Sequence, residues 1–195
     1  MYCPIVRGHR RDLPCCLQWS SAATVDSLVT YWNLDDNTND TASGGRTFDD
    51  GTWVGTPSYG VGQFGKAIAL DCIKFISVPA SMDVDRSGGD VSISAWFTVG
   101  RWDKSWQCLI AKGEGNRWRV ARQSSDPSAL SYAGGARDIF GGTVNDGKWH
   151  HVVAVSEAGI STRLIIDGLL VATGDGPGLG ASAGPVNIGE NPDAT

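Results

Sequence analysis

The chain has 195 residues, with 16 Lys and Arg against 21 Asp and Glu and a formal net charge of -5. A mildly acidic chain does not look like a general nucleic-acid binder, which shows a basic patch or stripe. No apolar run approaches the roughly 20 residues that cross a bilayer as a helix. Twenty-six Gly and eight Trp suit one domain with many tight turns, little helix and a real core.

Residues 1–27 do not match the rest. Arg7, Arg10 and Arg11 come first, then a short apolar stretch broken by Pro14 and Gln18, then Ser20-Ser21-Ala22-Ala23. That is the order of a secretion signal: basic, apolar, small. A linker or non-native leader is the alternative. The five cysteines are Cys3, Cys15, Cys16, Cys72 and Cys108. An odd count leaves at least one thiol free or paired between chains. No CxxC pair suggests a zinc ribbon. Cys72 and Cys108 flank apparent strands, as a bridge or as two buried thiols.

Residues 28–34 (LVTYWNL) predict a first strand with Trp32 and Leu34 in the core. Residues 35–51 (DDNTNDTASGGRTFDDG) form a long loop crowded with oxygen-bearing side chains. Hard cations such as calcium take about six to eight oxygens. Asp36, Asp40 and Asp50 are the candidate ligands. The loop lacks the spacing of an EF-hand, and an ordinary loop of Asx turns is the alternative.

Residues 66–70 alternate, and 75–78 read as a strand ended by Pro79. Residues 90–99 are the cleanest strand, with Ile93, Ala95 and Phe97 on one face and Ser92, Ser94 and Trp96 on the other. From 101 to 122, Trp102, Trp106 and Trp118 interleave with Arg101, Lys104, Lys112, Arg117 and Arg119. Indole rings stack on the apolar faces of sugars while guanidinium and amide groups bond hydroxyls, so rings exposed on a rigid sheet suit a glycan site. Trp102, Arg117, Trp118, Arg119 and Tyr132 are the candidate ligand-binding residues. In 117–122, Arg117, Arg119 and Ala121 share one face and Trp118, Val120 and Arg122 the other. One face is expected to be exposed on the concave side of a sheet. Tryptophan is usually mostly buried, which makes core packing the competing role.

Short strands follow near 130–132 and 139–140. Residues 147–168 (GKWHHVVAVSEAGISTRLIIDG) then give two strands, a glycine turn between them and a closing Asp167-Gly168 turn. A glycine-rich loop over 174–184 leads to a last short strand at 185–189.

Trp149-His150-His151-Val152 followed by Leu164-Ile165-Ile166-Asp167-Gly168 resembles the laminin-G-like, concanavalin-A-like jelly-roll domains. So do residues 28–36, Phe64-Gly65-Lys66-Ala67, Val78-Pro79 with residues 91–97, Ile110-Ala111-Lys112-Gly113 and Asn187-Ile188-Gly189, in the family's order. The resemblance implies an all-β, two-sheet antiparallel β-sandwich over 28–195, a concanavalin-A-like jelly roll. It implies a carbohydrate- or protein-binding module of a secreted, extracellular protein, and a bound calcium is frequent in the family. The family adds one more strand, beside the first, and no such segment follows Gly189. The exposed edge would then be covered by the leader or by a second copy, giving a homo-oligomer.

The alternative is a polysaccharide-active enzyme, a glycoside hydrolase such as an endoglucanase or a polysaccharide lyase. Glucan hydrolases of this group carry alternating carboxylates on one strand. Here the glutamates are Glu114, Glu157 and Glu190, and no strand pairs two carboxylates at i and i+2 or i+4. His150, Tyr132 and Arg119 supply a base and a cation for a lyase, but nothing in their spacing demands it. His150 and His151 face opposite sides of a strand and cannot form one metal pair. GxSxG is absent.

Overall fold

A computed structural model describes residues 28–193, apart from 43, 45–48, 72, 103 and 136. The expected leader at 1–27, with Cys3, Cys15 and Cys16, lies outside them, as does Cys72. Cys108 is a buried free thiol, so it takes no part in a bridge to Cys72.

The described residues form thirteen strands and no helix. In chain order they are β1 (Thr52–Val54), β2 (Tyr59–Val61), β3 (Lys66–Ile68), β4 (Phe75–Val78), β5 (Val91–Thr98), β6 (Cys108–Ala111), β7 (Trp118–Arg122), β8 (Leu130–Gly134), β9 (Ile139–Gly141), β10 (Trp149–Glu157), β11 (Ser161–Ile166), β12 (Leu169–Gly174) and β13 (Val186–Ile188). A seven-stranded sheet runs β1-β4-β13-β6-β7-β8-β9 and a four-stranded sheet runs β12-β11-β10-β5, while β2 and β3 form a separate hairpin. The result is an all-β sandwich. Among the described residues β5 pairs only with β10.

Sequence alternation builds this directly. Along β10 the side chains of His150, Val152, Ala154 and Ser156 are buried and those between them are half-buried. β5 and β11 repeat the pattern with Ile93 and Phe97, and with Thr162, Leu164 and Ile166. These inner rows meet Ile76, Val78, Val120, Leu130, Tyr132 and Val186 from the larger sheet in one core. Burial of such aliphatic side chains stabilises by about 1.5–3 kcal/mol each before entropy is counted.

The expected strand at 28–34 does not form. Only an isolated bridge joins Trp32 to Asp40. The Asp40 carboxylate accepts the Tyr31 N–H at 2.8 Å, doing the work of a strand partner. Left-handed backbone at Leu34 (φ 56°) and Asp36 (φ 62°) then turns the chain away. Trp32 and Leu34 still pack, half-buried, against the core.

Two polar groups sit inside the sandwich with their partners. The Tyr132 hydroxyl meets Ser156 Oγ at 2.7 Å, and Ser156 donates to the Gly134 carbonyl at 3.1 Å. His150 has Asp167 Oδ2 at 2.8 Å from Nδ1 and Asp146 Oδ1 at 3.0 Å from Nε2. With acceptors at both nitrogens, the ring satisfies both only as imidazolium. It thereby ties the turn before β10 to the β11–β12 turn. Burial alone lowers the His150 pKa, but the hydrogen bonds to Asp167 and Asp146 and their charges outweigh it, and the net shift is upward.

A residue held charged in this way stabilises the fold fully below its unfolded value of 6.5 and progressively less as pH rises through its higher folded value. Melting temperature should therefore fall as pH is raised above about 6.5, and a His150→Asn variant should lose that slope. Gly134 is a close-approach glycine: a Cβ there would sit 2.3 Å from Ser156 Oγ and 2.6 Å from the Tyr132 ring. Gly134→Ala should cost about 1–3 kcal/mol, read as a lowered urea midpoint with unchanged slope.

Candidate functional site

The alternation that sends Trp118, Val120 and Tyr132 inward sends Arg119, Ala121, Ser131 and Ala133 to the outer face of the seven-stranded sheet. The register confirms it, with Arg119 opposite Ala133 and Ala121 opposite Ser131. A register shift between Cys108 and Ile110 then places Cys108 opposite Ala121 and Ala111 opposite Arg119. Asn187 of β13 extends the same row opposite Ala111. The floor of this face is therefore made of small side chains, and a large cation rises from its middle.

Arg119 is only 5% exposed. A buried guanidinium must be paired, and three groups do so. Glu114 and Asp138 form ion pairs with it, Asp138 at 3.1 Å, and the Trp106 ring centroid lies 4.7 Å from its Cζ. Trp106 is half-buried and holds a left-handed backbone, φ 58°. That conformation is costly for a bulky residue and is retained only where its surroundings enforce it. Glu114 also accepts from the Asn191 amide. Asp193 accepts from the Glu114 N–H at 2.8 Å and from Arg117 at 2.6 Å. Lys104 faces Glu190 at 3.6 Å. These bonds fasten the chain after β13 to the β6–β7 turn and to the segment before β6, forming one polar wall. On the floor, Ser131 Oγ and Asn187 Oδ1 are buried with no hydrogen-bond partner among the described residues, although both can accept and serine can donate.

Two neighbouring ionisable groups have shifted by burial. Burial drives the Cys108 thiol pKa well above its usual range, which keeps it a neutral, inert thiol. Burial likewise lowers the Lys112 pKa, and its ammonium donates to the Gly184 carbonyl at 2.6 Å beneath the loop.

The five ligand candidates do not come together. Trp118 (5% exposed) and Tyr132 (0%) lie in the core, as does Trp102. They offer no ring face to a ligand, because the strand's inward row is where bulky apolar side chains gain most from burial. Burial also pushes the Tyr132 phenol up to about 12, which unsuits it as a lyase base near neutral pH. The expected exposed face at 117–122 is absent, since Trp118 through Ala121 are all buried. Arg117 is occupied by Asp193. Arg119 alone stands on the outer face, and its companions there, Trp106, Glu114, Asp138, Ser131 and Asn187, were not among the candidates. The small outward residues Ala121, Ser131 and Ala133 are the sequence signal that marks this face.

The metal candidates are each engaged by protein groups. Asp36 pairs with Lys66 at 2.5 Å. Asp40 accepts backbone N–H groups from Tyr31, Ala42 and Asp49. Asp50 accepts the Asp40 N–H at 2.8 Å. The Ala42 bond is an Asx turn, the others tie distant parts of the loop together, and among the described residues no three His, Cys, Asp or Glu side chains converge as a metal set. Asp36, Asp40 and Asp50 each already have a partner within the fold. An open depression of about 520 Å³ lined by Ala80, Ser81, Met82, Asp85, Ser182 and Ala183 has no aromatic ring and a single charge, so it offers a sugar little to grip.

Residues 75–195 match the family described as the concanavalin A-like lectin/glucanases superfamily, of laminin G type, and the chain belongs to that family. No curated protein matches the sequence. Among solved structures the chain is similar to domain 4 of AbnA, a GH43 extracellular arabinanase from Geobacillus stearothermophilus, in complex with arabinotriose. That similarity has a TM-score of 0.66 at 19% identity and covers 84% of this chain and 83% of that one. It is also similar to the binding domain of Paraclostridial Mosquitocidal Protein 1, with TM-score 0.62, 17% identity and coverage of 78% and 42%. The binding domain of botulinum neurotoxin DC in complex with SialylT gives 0.63, 14% identity and coverage of 85% and 43%. The chain thus spans less than half of either toxin domain, and at these identities the likeness is one of fold. Among the described residues no helix is long and apolar enough to cross a membrane.

The turn bonds around Asp40 need no ion. The melting temperature in excess calcium should equal that in a chelator, and a calcium-dependent rise would show ligands other than these three.

Proposed function

We propose that this chain is a non-catalytic carbohydrate-binding module of a secreted protein, and that it binds through the outer face of the seven-stranded sheet. The observation that carries this is the Arg119 cluster. Trp106 and Asp138 are half-buried and Glu114 is exposed, so an indole and two carboxylates border a floor that is itself buried. A sugar presents both an apolar ring face and many hydroxyls, and needs this combination. The arabinotriose complex of the similar AbnA domain supports the ligand class. The basic, apolar, small order of residues 1–27 supports export.

The same geometry disfavours hydrolysis. A glycosidase needs two carboxyl groups flanking the scissile bond, about 5–10 Å apart with room between them. Glu114 and Asp138 both contact the Arg119 guanidinium, which fills that room.

Pull-down on insoluble arabinan, xylan and glucan, with calorimetry on their soluble oligosaccharides, tests the reading. Trp106→Ala and Arg119→Lys should each weaken the affinity of this site by about tenfold, near 1.4 kcal/mol, with melting temperature checked alongside. No reducing ends should be released. Release that disappears in Glu114→Gln or Asp138→Asn would make the chain a hydrolase instead.

A further inference from the structure

The opposite side of the sandwich carries a second set of rings. On the outer face of the four-stranded sheet, Trp96 of β5 stands directly opposite His151 of β10. Their ring centroids are 5.0 Å apart at 33°. His151 Nε2 meets Ser94 Oγ at 2.9 Å, and its backbone N–H is held by Asp167 Oδ1 at 2.9 Å. Phe64 stands over the same spot with its centroid 5.8 Å from Trp96 and its plane at 85°. The two large rings form a corner, yet Trp96 remains 42% exposed and Phe64 55%.

Phe64 is mounted, not loose. It lies in the β2–β3 turn, where the Gly62 N–H donates to the Gly65 carbonyl at 3.0 Å. Asp35 accepts the Lys66 N–H at 2.9 Å and Asp36 pairs with the Lys66 ammonium. Gly65 has φ 63°, and a Cβ there would meet Asp35 Oδ2 at 2.8 Å, so the turn is pressed against the loop that holds it. Two carboxylates of the acidic loop thus serve to fix an aromatic ring that the protein leaves in water. Exposing two adjacent large aromatics forfeits burial energy, and here they are also held rigid.

We infer that the Phe64–Trp96–His151 corner is a second saccharide subsite, separate from the Arg119 face and taking a neutral sugar ring. The indole and phenyl rings offer apolar faces at right angles, while Ser94 and His151 supply hydrogen-bonding groups beside them. Among the described residues the cation–π contact is at Trp106 and not at these two rings, which suits a neutral sugar. The ligand class rests on the proposed function, but the location does not. With sites on both faces, the module would bridge two chains or two stretches of one, gaining avidity.

Calorimetry of the full chain with arabinotriose, xylotriose and cellotriose tests this. Trp106→Ala should leave one saccharide site, and adding Trp96→Ala or Phe64→Ala should remove it by at least tenfold in affinity. Trp96→Phe should recover part of the loss, and Phe64→Ala guards against misfolding because that ring is outside the core. Binding that Trp106→Ala abolishes and Trp96→Ala leaves intact would overturn this subsite while upholding the Arg119 face. No binding of any of the three sugars by the unaltered chain would overturn both. A concentration-dependent dimer in light scattering, lost in Trp96→Ala, would assign the corner to a second copy and overturn the saccharide reading.

Discussion

The contact between the inner rows of the two sheets, Val152, Ala154 and Leu164 against Val120, Leu130 and Tyr132, sets where every other side chain can go. A strand has two faces and a period of two. Once one row is committed to the core, the residues between are committed to the outside. Arg119, Ser131 and Asn187 lie on the outer face because Val120, Tyr132 and Ile188 lie on the inner one. Trp96 and His151 are outward because Phe97 and Val152 are inward. The two faces argued to bind ligands are both consequences of one apolar contact.

The outer face of the larger sheet then meets a constraint of its own. Arg119 is too deep to be solvated, and an uncompensated buried cation is among the costliest features a fold can hold. Glu114, Asp138 and the Trp106 ring resolve it, and in doing so they draw the β6–β7 turn, the segment before β9 and the loop before β6 to one place. The strained backbone at Trp106 is the local cost of that gathering. The chain after β13 joins through Asn191 and Asp193. A polar wall of this kind is rigid, and rigidity reduces the entropy lost when a flexible sugar is held.

Acidic residues illustrate how the same composition serves different ends. The loop rich in Asp and Asn reads equally as a calcium loop or as a set of Asx turns. Asp40 and Asp50 cap backbone N–H groups, and Asp35 and Asp36 grip the turn that presents Phe64. Each of these oxygens holds a part of the fold in place. Convergence in space, which spacing along the chain does not report, separates the two outcomes.

Alternation in residues 91–98, 149–157 and 161–166 determined the strands, their buried rows and the sandwich itself, since local pattern and core burial ask for the same thing there. The motifs around Trp149–Asp167 determined the family. The sequence was silent on how far each tryptophan is buried. Trp118 and Trp106 sit among similar neighbours, but the alternation of β7 sends Trp118 inward, while a left-handed backbone at Trp106 leaves that ring over Arg119. The strand expected at 28–34 failed for a like reason, because a carboxylate nine residues away satisfied the Tyr31 backbone. Which side chains meet across strands depends on register and on loop paths. Those are settled by the packing of the whole chain, and so only the tertiary structure decided where a ligand could rest.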